Sequence, residues 1–175
     1  SYEAQKADAI YRFVQEGLRM GRAVMSHLTA PYMQTLFAIE RNFTNESHFF
    51  IEILRFEELE NGTLFGRINP KSEVLPYLAD HFADRFAGEQ WVIADTVHRT
   101  VLLHKANYKT VYLSMDEVDM DELTLTYSED EKQLQKLWKL FVNTIAIKER
   151  VNPKLQRQML PLRFRKYMKE FSESE

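Results

Sequence analysis

The spacing of apolar positions changes twice along the chain, and each change marks a change of secondary structure. Ile10, Phe13, Val14, Leu18 and Met25 recur at helical spacing. Tyr32, Leu36, Ile39 and Phe43 do so again after Pro31, which suits the first turn of a helix. Both apolar faces are expected in the core. Around Ile51 the texture becomes β-branched and aromatic. Asn61-Gly62 sits between Ile-Leu-Arg-Phe-Glu-Glu-Leu and Thr-Leu-Phe-Gly-Arg-Ile and predicts a hairpin. Beyond Pro70, Leu75, Leu78, Ala79, Phe82 and Phe86 share one stripe, which predicts an amphipathic helix over 74–86. Three short strands follow, over 90–94, 100–104 and 110–113. Ser128-Glu-Asp-Glu131 is a capping box ahead of Leu134, Leu137, Trp138, Phe141, Val142 and Ile145, and Asn152-Pro153 and Pro161 have the form of two further helix starts. Helices, a meander with one inserted helix, then helices again describe an α+β fold. The expectation is an antiparallel sheet of about five strands with N-terminal and C-terminal helices, in a single domain over 1–175.

Composition narrows the class of protein without altering that outline. With 45% hydrophobic and 13% aromatic residues, 175 residues can bury a substantial core. No apolar run approaches the roughly 20 residues that span a bilayer, and the start, Ser-Tyr-Glu-Ala-Gln-Lys, lacks the features of a signal peptide. A cytoplasmic protein with no membrane association is expected. A start on Ser rather than Met suggests that a native N-terminal region precedes it. The absence of cysteine removes disulfides, cysteine zinc sites, iron–sulfur ligation and thiol nucleophiles. The common phosphate-binding loops and nucleophile elbow are also absent, and the five histidines lack metal-ligand spacing, so neither a metal nor a cofactor is expected.

Charge supplies the first functional lead. Residues 148–170 hold eight Lys/Arg against two acids, a balance of +6 in a chain of net charge −3, so the rest carries −9. Such asymmetry suits an anionic partner, DNA first among the candidates, although a solvated helix face produces the same count. The candidate nucleic-acid-binding residues are Lys148, Arg150, Lys154, Arg157, Arg163, Arg165 and Lys166. Leu160, Phe164, Tyr167, Met168 and Phe171 form the accompanying apolar stripe. Arginine forks suit phosphate, and Tyr167 is placed to stack on a base or to face inward.

Whether the protein is an enzyme is left open. In Asp80-His-Phe-Ala-Asp-Arg-Phe86, His81 and Asp84 are helical i, i+3 neighbours, so the carboxylate can orient the imidazole as a general base; a salt-linked surface helix is the structural alternative. Asp95 closes Trp-Val-Ile-Ala-Asp and is the third catalytic candidate; structurally, it would accept turn amides or pair with Arg99. Arg55, Arg85 and Arg99 are read as phosphate-binding or structural.

The run Ile-Lys-Glu-Arg-Val-Asn-Pro-Lys-Leu-Gln-Arg-Gln-Met-Leu-Pro-Leu-Arg-Phe-Arg-Lys-Tyr ends at Tyr167. Ahead of it come Glu46-Ser-His-Phe, Leu54-Arg-Phe, His81-Phe-Ala-Asp-Arg-Phe and Trp91-Val-Ile-Ala-Asp. Together these resemble a bacterial family of predicted DNA-metabolism or DNA-repair proteins built on a domain of unknown function, with the resemblance running from about Arg12 to Tyr167. It implies association with a radical-SAM protein, a relation to domains fused to uracil-DNA glycosylase, and an N-terminal region ahead of this part. It carries no catalytic assignment. The expectation is a DNA-binding or accessory module of DNA repair. The alternatives are an enzyme acting on a nucleobase or the DNA backbone, and an adaptor for a radical-SAM or uracil-DNA glycosylase partner.

Overall fold

The computed structural model describes residues 2–117, 126–145, 152–168 and 171, and the chain divides into two compact units, Ser1–Phe49 and Phe50–Glu175. The first unit contains helix α1 (Tyr2–Met20), a 3₁₀ turn (Gly21–Ser26) and most of helix α2 (Pro31–Ile53), whose last turn belongs to the second unit. Gly21 joins α1 to the 3₁₀ turn at φ +59°, a left-handed conformation costly for a residue with a Cβ. The two helices lie where the apolar spacing predicts. Their burial differs from expectation, because Ala9, Val24 and Met33 are buried whereas Ile10, Val14, Leu18 and Met25 are exposed. Periodicity identifies an apolar face, but it does not say whether anything covers that face.

The second unit is built on a five-stranded sheet: β1 (Glu57–Glu58), β2 (Leu64–Ile68), β3 (Trp91–Asp95), β4 (Thr100–His104) and β5 (Val111–Ser114), in that spatial order. Asn61-Gly62 makes the β1–β2 hairpin. Leu59 and Thr63 close its loop, Asn61 Oδ1 accepts the Thr63 amide at 2.9 Å, and Gly62 takes the left-handed position at φ +77°. Pairing is antiparallel for β1–β2, β3–β4 and β4–β5. β2 and β3, however, run parallel, with Leu64 opposite Trp91 and Ile68 opposite Asp95, so the sheet is mixed rather than antiparallel throughout. The inserted helix α3 (Leu75–Arg85) is the cause. A connection that long carries the chain back across the sheet, so the next strand enters in the same direction as the last.

Both faces of the sheet are covered, which is why all five residues of β3 are buried. On one face Leu59, Phe65, Val92, Ala94 and Val101 form a cluster with Leu103, Met115 and Tyr127 against it. On the other, Phe82 of α3 meets Trp91 edge-on at 6.4 Å and Phe56 at 5.4 Å, and His104 stacks on Trp91 at 4.9 Å.

Helix α4 (Glu129–Ile145) begins with Ser128 Oγ accepting the Glu131 amide at 3.1 Å, the first half of the capping box. The second half is replaced. The Ser128 amide donates to Glu58 O, which frees the Glu131 carboxylate to accept the Glu58 amide at 3.4 Å and the Gln135 side chain at 2.7 Å. The apolar face of α4 is largely exposed, Leu134, Leu137, Phe141 and Ile145 included. Helix α5 (Pro153–Met159) has Asn152 as its cap, with Asn152 Oδ1 accepting the Leu155 amide at 3.0 Å. Pro161 precedes a 3₁₀ turn (Leu162–Tyr167) in place of the expected helix start. Among the described residues no helix is long and apolar enough to cross a membrane.

Candidate functional site

The carboxyl ends of the parallel strands are where the second unit gathers its polar side chains. Arg67 on β2 donates to the Tyr127 hydroxyl at 3.1 Å and to Glu57 Oε2 at 3.4 Å, and its guanidinium lies over the Tyr167 ring at 5.1 Å. Glu57 is buried, and this ion pair with its phenol neighbour is the charged knot of the unit. The Tyr127 phenol is pushed up from 10.0 to about 12. Burial is the main cause; the hydrogen bond to Glu57 and that carboxylate's charge add to it, and Arg67 opposes it.

Tyr167 brings the basic C-terminal segment into this knot. Thr96 Oγ1 donates to Ile68 O at 3.2 Å, so the 2.9 Å bond between Thr96 and Tyr167 has the tyrosine as donor. Asn69 Nδ2 also donates to the Arg163 carbonyl at 3.0 Å. The segment is therefore fastened at three points, Arg67, Asn69 and Thr96, to the ends of β2 and β3. Phe50 and Phe164 pack edge-on at 5.2 Å beneath it. A crevice between Arg55, Glu57, Arg67, Asn69 and Tyr167 has a volume of about 20 Å³, room for a single water.

Next to it lies a larger cavity of about 140 Å³ that shares Arg55 and Glu57 with the crevice and is otherwise lined by Phe56, Glu131, Leu134, Gln135 and Trp138. Arg55 is exposed, and its guanidinium rests over the Trp138 ring at 5.4 Å. Phe56, the next residue, lines the cavity and also packs edge-on against Phe82, Phe86 and Trp91, so it joins the cavity wall to the aromatic cluster.

The sequence-derived candidates fare differently. Lys148 and Arg150 lie outside the described residues. Lys154 and Arg157 stand exposed on α5 with no ion pair among the described residues, and exposed Lys166 lies 5.0 Å from the Tyr167 ring. Arg163 is exposed, with its guanidinium 4.2 Å from the Phe164 ring. Arg165 is engaged structurally: Nε donates to Leu160 O and Nη2 to Gln156 O, both at 3.0 Å, satisfying carbonyls at the end of α5, and Phe171 lies against it at 4.4 Å. Arg85 is exposed with its guanidinium 5.6 Å from the Phe86 ring, and Arg99 pairs with Asp116 at 2.6 Å on the surface.

His81 and Asp84 do not meet. The imidazole packs edge-on against Phe82 at 5.0 Å with Nε2 buried and without a hydrogen-bond partner among the described residues, while Asp84 is exposed. Asp95 is fully buried: Oδ1 accepts the amides of Val97 and His98, and Oδ2 meets His98 Nδ1 at 2.6 Å. The turn amides are those expected, but the side-chain partner is His98 instead of Arg99. Arg99 sits at φ +55° where the turn rejoins β4, and that conformation leaves its guanidinium to Asp116. His98 is the chemically relevant residue that sequence reading overlooked. The available signal was a strand-ending Asp followed three residues later by His inside a tight turn. Among the described residues no group of three or more His, Asp or Glu is placed to hold a metal.

Residues 4–170 match the protein family described as Domain of unknown function (DUF4130). No curated protein and no solved structure matches the chain.

Proposed function

We propose that this chain, which belongs to the family described as Domain of unknown function (DUF4130), is a DNA-binding accessory module of DNA metabolism or repair whose contact surface is the basic C-terminal segment and the arginine-rimmed cavity beside it. The supporting observation is the docking of that segment. Three side chains tie it to the ends of β2 and β3, while Lys154, Arg157 and Lys166 on it are exposed and have no carboxylate partner among the described residues. A charged face that only keeps a helix soluble is commonly laced with ion pairs, as in the Arg12–Asp8 and Arg19–Glu16 pairs of α1. Exposed cations on an anchored segment suit phosphates, which supply affinity without reading sequence. The test is titration of a labelled DNA oligonucleotide with the protein and with a Lys154→Glu, Arg157→Glu, Lys166→Glu variant. Arg165 is left untouched because it holds the chain in place. The variant is expected to bind far more weakly, and equal affinity would refute the proposal.

A second reading, an enzyme acting on DNA, is favoured by one observation. Buried Asp95 meets His98 Nδ1 through Oδ2 at 2.6 Å, the arrangement in which a carboxylate orients an imidazole so that Nε2 can serve as a general base. Turnover of a DNA or nucleobase substrate that is lost on His98→Ala would support it. Turnover unaffected by His98→Ala would argue against it.

A further inference from the structure

Resting on the DNA-binding reading, we infer that the cavity between Arg55 and Trp138 is a subsite for one unstacked base of a single strand, with Arg55 as its displaceable cover. At about 140 Å³ the cavity is close to the roughly 150 Å³ that holds a benzene-sized ring in a protein interior. Its walls are chemically divided. Trp138, Leu134 and Phe56 provide the flat and apolar surface a base face requires, and Glu131 and Gln135 provide polar atoms for a base edge. A phosphate does not suit this interior, because Glu57 and Glu131 both line it and would repel an anion. A neutral base carrying N–H donors meets no such repulsion and can donate to those carboxylates.

Arg55 gives the subsite its coupling to the backbone. Both it and Trp138 are exposed, so their cation–π contact belongs to the weak, solvated class, and a stacking base competes with it readily. Once displaced from the ring, the guanidinium remains on the rim, beside the crevice where Arg67, Asn69 and Tyr167 anchor the basic segment. There it can take the phosphate attached to the inserted base in a bidentate contact. Stacking of this kind is tolerant of base identity, so single-stranded DNA of any sequence is the ligand class.

The chain has two tryptophans, and they differ in the way the test requires: Trp91 is fully buried and Trp138 is exposed. Tryptophan emission is followed while the protein is titrated with a deoxythymidine oligomer and with an abasic oligomer of equal length and charge. The deoxythymidine oligomer is expected to quench the Trp138 component and to bind about ten-fold more tightly than the abasic one. Trp138→Leu is expected to erase that ten-fold difference, and Trp138→Phe to keep most of it. Unchanged Trp91 emission in both variants shows that they are folded. If both oligomers bind equally and Trp138→Leu changes neither, the base subsite is wrong and the electrostatic reading stands. If neither oligomer binds at low salt, both fall.

Discussion

Replacing Tyr127 by Phe should invert its effect on stability between neutral and alkaline pH. At neutral pH the variant loses the acceptor that Arg67 uses at 3.1 Å and the phenol bond to Glu57, a cost of about 1 kcal/mol for a partly exposed hydrogen bond. The alkaline limb follows from linkage. The unfolded phenol loses its proton near 10.0, the folded one near 12, so between those values the folded state holds more protons and stability falls as pH rises. Two pH units correspond to about 2.7 kcal/mol. Because the side chain is only half buried, solvent screening reduces this to about 1–1.5 kcal/mol. Urea unfolding at stepped pH measures both limbs, and the ultraviolet absorbance of phenolate counts the tyrosines. Wild type should show a late-ionising tyrosine, near 12, that Tyr127→Phe lacks. Stability differences that stay parallel from below 10 to 12, or no late phenolate, would refute the description of the Glu57–Arg67–Tyr127 knot.

Two further substitutions probe the same end of the sheet. Arg67→Met leaves the buried Glu57 without its guanidinium and removes the cation from the Tyr167 ring, and should cost about 2–3 kcal/mol by urea unfolding, less than a fully buried pair because the arginine is partly exposed. Asp95→Asn replaces the carboxylate oxygen facing His98 Nδ1 and should cost about 1–3 kcal/mol; a change below a few tenths would mean that the Asp95–His98 contact does not hold the β3–β4 turn.

Features set by local chemistry were legible in the sequence. Asn61-Gly62 needs only a left-handed residue to turn the chain, and Ser128 and Asn152 need only reach an amide three residues ahead, so hairpin and caps lie where their residues indicate. The parallel pairing of β2 and β3 was signalled more weakly, by a helix between two strands and by the unbroken apolar run from Trp91 to Ala94, which alternation-based reading does not use. Burial of the helix faces was not legible, since Leu134 and Phe82 obey the same period and only tertiary structure separates the exposed one from the buried one. The site was half visible for a related reason. Arg55 and the basic segment could be named separately, but their shared surroundings depend on Asn69, Thr96 and Tyr167, which meet only after β2 and β3 align. Arg165, indistinguishable by composition from Lys166, caps α5 because its fork fits two carbonyls.

The salt dependence of DNA binding tests the central claim most directly. For a single strand, log K should fall linearly with log salt by about 0.7 for each phosphate neutralised, so charge reversal at Lys154, Arg157 and Lys166 should reduce the slope by about 2. That reduction is expected together with weaker binding across the series. A slope identical to wild type, or no binding at low salt, would contradict it.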